Sequence, residues 1–214
     1  MKKYIREPIN SLTHLGGAVL SLIGMILLIQ KGIQLKVSTG QMISLVAFGI
    51  SMIALYTTSG IYHLVNAGQS VLLFLKKLDH SMIFVLIAGS YTPILAFVLD
   101  GNLRLFMLIL IWGIAVSGVV FKVFWINAPR WLYTGIYLGM GWLSIVIITR
   151  IFQATGWGGF LLLAGGGISY TIGAVIYGMK KPNISKAFGF HELFHCFVLA
   201  GTFLHFMMVY TQVV

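Results

Sequence analysis

Apolar runs of roughly 18 residues or more recur along the whole chain, and they limit its possible folds more than any other feature. Each is long enough for a helix to cross about 30 Å of bilayer hydrocarbon. In that medium every backbone N–H and C=O must be bonded internally, which leaves helices or closed barrels. The runs cover roughly 12–31, 41–62, 80–99, 103–121, 131–149, 159–178 and 192–212. They predict an all-α, polytopic membrane protein: a seven-transmembrane helix bundle with residues 1–214 as its single domain. Composition agrees, with 59% hydrophobic and 8% charged residues against about 25% charged in soluble domains.

The net charge of +10 would suggest nucleic acid in a soluble protein. Here the basic residues stand between apolar runs and form no stripe facing water, so nucleic-acid binding is excluded as the primary reading. They read instead as topology signals. One side of the predicted bundle carries ten of them (Lys2, Lys3, Arg6, Lys76, Lys77, Lys122, Arg130, Lys180, Lys181, Lys186) and the other four (Lys31, Lys36, Arg104, Arg150). That asymmetry puts the N-terminus in the cytoplasm and the C-terminus outside, in a multi-pass protein of the cell membrane. Lys2, Lys3 and Arg6 before an apolar run imitate a signal peptide, but Glu7, Pro8, Asn10 and His14 interrupt it and no A-x-A site follows. The run reads as a retained first helix. Cys196 is the single cysteine, so no intrachain disulfide is possible.

Several local expectations follow. Lys76 and Lys77 close the loop before the third span, and Asp100-Gly101-Asn102 and Gly156-Trp157-Gly158-Gly159 form turns. Pro93 kinks the third span, with Ser90-Tyr91-Thr92 satisfying the freed backbone. Gly135-x-x-x-Gly139 and Gly165-Gly166-Gly167 read as close helix packing.

Chemistry concentrates at His191-Glu192-Leu193-Phe194-His195, at the head of the last run. On a helix the two imidazoles, four residues apart, share a face and can address one ion, which suits zinc. Read alone, H-E-x-x-H is a zinc-protease signature. No acidic residue follows Glu192, and Val198 and Gly201 stand where the metzincin pattern needs Gly and His. A third ligand must come from upstream. His63 closes the second span, Ser59 lies one turn deeper on the same face, and Asp79 opens the third span, all at the same membrane end by the charge count. Three histidines with an open fourth position make a catalytic rather than a closed structural zinc site. Zinc lowers the pKa of bound water to about 7; Asp79 would take the proton and Ser59 would supply a further hydrogen bond. Simpler roles stay open: each histidine alone suits an interface, Asp79 a helix cap, and Glu192 a favourable first-turn charge. His80 points about 100° away from Asp79 and reads as structural. His205, about 15 Å up the helix, reads as packing. Glu7, Asn10 and His14 either border the site or cap the first helix, and Cys196 faces away from His195.

Glu7-Pro8-x-Asn10 through Thr13-His14, Ser59-x-x-x-His63, Leu78-Asp79-His80, Gly89-Ser90-Tyr91-Thr92-Pro93 and His191-x-x-x-His195 together resemble the hemolysin III family, the bacterial branch of the progestin and adiponectin receptor group. Pro8 departs from the pattern, which has a second acidic or small residue there. The resemblance implies a seven-helix bundle with a cytoplasmic N-terminus and a zinc ion inside the membrane near that face. By motif, His63, His191 and His195 would be the ligands, with Asp79 and Ser59 around the water. The likeness extends to alkaline ceramidases. Three functions follow as expectations: a zinc-dependent hydrolase of lipid amide or ester bonds, its membrane lipid entering between helices; a pore-forming hemolysin; or a non-catalytic sensor of bilayer state with structural zinc. Against the second, no run shows a continuous polar stripe.

Overall fold

The computed structural model describes residues 5–185 and 187–214, so the topology signals Lys2, Lys3 and Lys186 lie outside the described residues. Every regular element among the described residues is helical. They are α1 (Pro8–Gln34), α2 (Thr39–Leu64), α3 (Gln69–Val98), α4 (Gly101–Phe124), α5 (Arg130–Trp142), a 3₁₀ turn (Leu143–Ile147), α6 (Ile148–Met179), α7 (Phe190–Met208) and a π turn (Val209–Val213). Six helical stretches are long and apolar enough to cross a membrane, with Arg130–Met179 counting as one stretch of 50 residues.

Local chemistry explains the ends. Pro8 occupies the first turn of α1, where its missing N–H costs nothing. A capping box opens α2: Ser38 Oγ accepts from Gln41 N–H at 3.4 Å, and Gln41 Oε1 accepts from Ser38 N–H at 3.0 Å. Leu99 and Asp100 form an extended link, and Gly101 takes φ +55 at the turn into α4.

The third helix departs from expectation. It begins at Gln69, so Lys76 and Lys77 are helical rather than in the loop before it, and Asp79 lies within the helix rather than at its start. Hydropathy reports where a helix leaves the hydrocarbon, not where backbone bonding stops, and Leu and Lys are good helix formers. As expected, Pro93 lies inside the helix, which runs on to Val98. Its Ser90 and Thr92 hydroxyls bond back to Ile87 O at 2.8 Å and Ala88 O at 2.7 Å. Tyr91 reaches out to Gly141 O at 2.6 Å and so pins α5 to α3.

The 50-residue stretch folds back on itself. Gly156 has φ 61 and ψ −161, a conformation that interrupts α6 and that side chains resist. Around it, Tyr133 and Tyr177 hydroxyls meet at 3.4 Å, Trp142 Nε1–H donates to Thr171 Oγ1 at 3.2 Å, and the Phe152 and Phe160 rings lie 6.1 Å apart. These pairings are those of an antiparallel helical hairpin centred on the predicted glycine turn.

Helix α3 is central, packed on α2, α4, α5 and α6. Phe84 of α3 and Phe48, Leu55 and Tyr56 of α2 are buried in the core, while Leu105, Ile109 and Val116 of α4 point outward. Such an apolar exterior suits acyl chains rather than water. The glycine expectation divides. At Gly166 a Cβ would fall 2.2 Å from the His205 ring, so this glycine lets α7 approach α6. At Gly135 and Gly139 a Cβ would meet nothing within 4 Å, so this pair packs no helix.

Candidate metal centre

The C-terminal end of α2 delivers His63, and the first two turns of α7 deliver His191 and His195. One ligand nitrogen from each lies within 4.8 Å of the others. Ring centroids are 5.0 Å apart for His63–His191, 5.0 Å for His63–His195 and 4.8 Å for His191–His195. The ring planes are inclined by 74°, 71° and 82°, like three walls meeting at a corner. His63 is 0% and His195 2% exposed. His63 Nε2 and His195 Nδ1 are buried with no hydrogen-bond partner. Orphaned buried nitrogens are costly, and a cation shared among them supplies the missing partner. The donor set therefore fits a metal ion, and three neutral imidazoles suit zinc or a similar transition ion.

Asp79 and Ser59, the other two predicted site residues, are buried and line the same cavity as His191 and His195. Ten residues of α3 precede Asp79, which rules out its role as a cap of that helix. His205 stands apart as expected, its Nε2 3.3 Å from Leu163 O and its ring against Tyr170. Cys196 is exposed and outside the cluster. Contrary to expectation, His80 lines the cavity beside Asp79. Its neighbour Tyr137 holds the His80 carbonyl at 2.9 Å, which turns this turn of α3 toward α5.

Residues that sequence left undecided complete the surroundings. Glu7 sits at the N-cap of α1 but makes no side-chain cap. Its Oε2 lies 2.6 Å from His63 Nδ1. That hydrogen bond, with the neighbouring Arg6 charge, holds the Glu7 carboxyl down at about 2, so the carboxylate accepts and His63 Nδ1–H donates. This leaves His63 Nε2 bare for a metal, an arrangement typical of carboxylate–histidine–metal sites. Asn10 Nδ2 donates to Glu192 Oε1 at 2.8 Å and to Glu7 Oε2 at 3.3 Å, linking α1 to the head of α7. Glu192 also keeps its expected first-turn role, Oε2 accepting from Gly189 N–H at 2.8 Å. The His14 ring stacks on His195 with centroids 3.6 Å apart and planes 8° off parallel. The sequence signal for Glu7, Asn10 and His14 was their spacing, which repeats on one helix face.

From this corner a cavity of about 350 Å³ extends between α3, α5, α6 and α7. Its near end holds His14, Ser59, Asp79, His191 and His195, and its far end Ile151, Phe160 and Leu163.

Comparison with known proteins places the chain in a family by sequence. The family model described as Haemolysin-III related matches residues 2–206. The chain is 36% identical over 206 residues to the Hemolysin-3 homolog of Bacillus subtilis (strain 168), covering 96% of this chain and 93% of that protein. It is 35% identical over 210 residues to Hemolysin-3 of Bacillus cereus, covering 98% and 93%. This multi-pass membrane protein belongs to the haemolysin-III related family.

Proposed function

We propose that the chain is a zinc-dependent hydrolase of lipid amide or ester bonds, crossing the membrane seven times with its N-terminus in the cytoplasm and the metal site near that face. The carrying observation is the convergence of three imidazoles, Asp79 and Ser59 at one end of an apolar cavity. A cavity of this kind suits an acyl chain, with the scissile bond placed at the polar end.

The span count rests on parity as well as on length. A continuous helix of 50 residues would be about 75 Å long, more than twice the hydrocarbon thickness. Asn10 meets Glu192 at the starts of α1 and α7, and Lys31 meets Tyr210 near their ends, so the two helices run parallel. Parallel first and last helices require an even number of crossings to precede the last, and the Gly156 hairpin supplies two of them.

When bound, the ion supplies Lewis acidity, polarising an acyl carbonyl and acidifying water. The chain does the rest. His63 is locked by Glu7 in one tautomer. Among the described residues Asp79 is the one carboxylate lining the cavity, and it takes the proton from the attacking water and returns it to the leaving group. Ser59 orients that carboxylate's surroundings, and the aliphatic walls exclude bulk water.

Turnover of candidate lipids by purified protein, with and without chelator and in His195→Ala, tests the proposal. Loss of turnover in both supports it, and equal turnover in all three refutes it. Metal analysis of the protein beside His63→Ala and His195→Ala tests the zinc assignment. The names of the relatives favour a second reading, cytolysis through a pore, which dye release from liposomes carrying the pure protein would reveal. The third is a structural ion in a bilayer sensor: chelation would then lower the melting temperature while no lipid is turned over.

A further inference from the structure

A second cavity, of about 280 Å³, opens beside the metal corner and shares Asp79, His80, Tyr133, Tyr177 and His191 with the apolar one. Its character is different. Lys76 of α3 and Arg130 of α5 line it, with Asn127 of the preceding loop. Behind its Tyr133 wall sits Lys122, 0% exposed, its Nζ 3.5 Å from the ring centroid and without a hydrogen-bond partner. Among the described residues, none of these three cations forms an ion pair with a carboxylate. Arg130 is oriented by donating from Nη1 to Tyr177 O at 2.8 Å and by resting over the Tyr177 ring at 4.3 Å, which leaves other guanidinium N–H groups available. The N-terminus of α5, at Arg130, adds the positive end of a helix dipole to the same wall.

Topology accounts for the part-exposed Lys76 and Arg130 but not for Lys122. Orienting charges sit on loops in contact with water, whereas Lys122 is sealed inside the bundle. A buried amine held by an aromatic ring alone, with no hydrogen-bond partner, is expensive and marks function by default. One anion entering the vestibule would answer Lys76 and Arg130, the two cations that line it.

We propose that this vestibule binds a phosphate group, and that the two joined cavities together accommodate an anionic amphiphile, phosphate in the vestibule and acyl chain in the apolar chamber. Lys76 supplies a point charge and Arg130 a planar fork for the phosphate oxygens. Lys122 acts through Tyr133, polarising the ring and raising the local potential. The labile acyl bond then lies at Asp79, between the two chambers. The inference deepens the hydrolase reading, yet binding at the vestibule can be measured without turnover.

The test uses the purified full chain in a neutral detergent. Dioctanoyl phosphatidic acid, dioctanoylglycerol and inorganic phosphate are titrated by calorimetry against the wild type, Lys76→Gln, Arg130→Gln and Arg130→Lys. Hydrolysis of the same lipids is followed separately by chromatography. Phosphatidic acid should bind at least about tenfold tighter than dioctanoylglycerol, since a hydrogen bond to a charged group is worth that much. Lys76→Gln and Arg130→Gln should each weaken phosphatidic acid by about tenfold and leave dioctanoylglycerol unchanged, while Arg130→Lys retains much of the preference. Unchanged dioctanoylglycerol binding also certifies that each variant is folded. If inorganic phosphate binds as tightly as phosphatidic acid, the anion site stands and its ligand is the free ion. Equal affinity for the two lipids, or a preference that survives both charge removals, overturns the proposal. A phosphate preference with no hydrolysis keeps the vestibule and removes the hydrolase reading. Hydrolysis without the preference does the reverse.

Discussion

Glu7 is the residue whose importance the linear sequence shows least. It occupies an N-cap position, contributes no cap, and instead grips His63 Nδ1 at 2.6 Å from another helix. Glu7→Gln should keep a hydrogen bond but lose the charge that raises imidazole basicity, lowering metal affinity about 10–100-fold in chelator competition. Asn10→Ala should weaken affinity less, because it frees the Glu7 and Glu192 carboxylates without removing either. Asp79→Asn makes the opposite kind of change: metal content stays at the wild-type level in elemental analysis, while lipid turnover drops by about 10²–10⁴. Were metal and turnover lost together, Asp79 would belong to ion binding instead.

Among the elements, the α5–α6 hairpin turns at Gly156, and Gly166 is one of several glycines that let α7 approach α6. Gly156 adopts φ 61 with ψ −161, a region essentially closed to other residues, and Gly156→Ala should destabilise the hairpin by about 1–3 kcal/mol. Gly166→Val should cost a similar amount, about 1–3 kcal/mol, because its side chain drives the His205 ring away. Gly135→Ala is the control: nothing lies within 4 Å of the added methyl, so its melting temperature should stay level or rise, worth at most about 1 kcal/mol. Unfolding in mixed detergent micelles, monitored by tryptophan fluorescence, ranks the three. The glycine-rich spacing was legible in sequence, but which glycine serves packing was not. Spacing places residues on one face of a helix, while only the neighbouring helix decides whether that face is covered.

At the scale of the whole molecule, the chain is a bundle in which the first and last helices run parallel and the side chains of the candidate site gather at one end. On the proposed orientation, a C-terminal alkaline phosphatase fusion should be active outside the cell, and the same reporter fused after α6, beyond Met179, inactive. Active enzyme at both positions would put the two ends of α7 on one side. A metal held by His63 and the α7 pair, 128 and 132 residues away in sequence, would also be coupled to folding. Chelator should lower the melting temperature of the wild type and leave His63→Ala unmoved.

The sequence by itself determined the helical, membrane-spanning class, because the bilayer admits few backbone solutions and apolar run length reports on them directly. It also marked His63, Asp79, His191 and His195, because ionisable groups at membrane depth stand out against an apolar background. Only the tertiary structure decided that Glu7 and Asn10 support those residues, that His80 faces the cavity, and that Lys122 is sealed beside a vestibule. Each of those facts concerns which side chain meets which across different helices. Helix periodicity fixes a residue's direction relative to its own axis, and packing alone sets how the axes are rotated against one another.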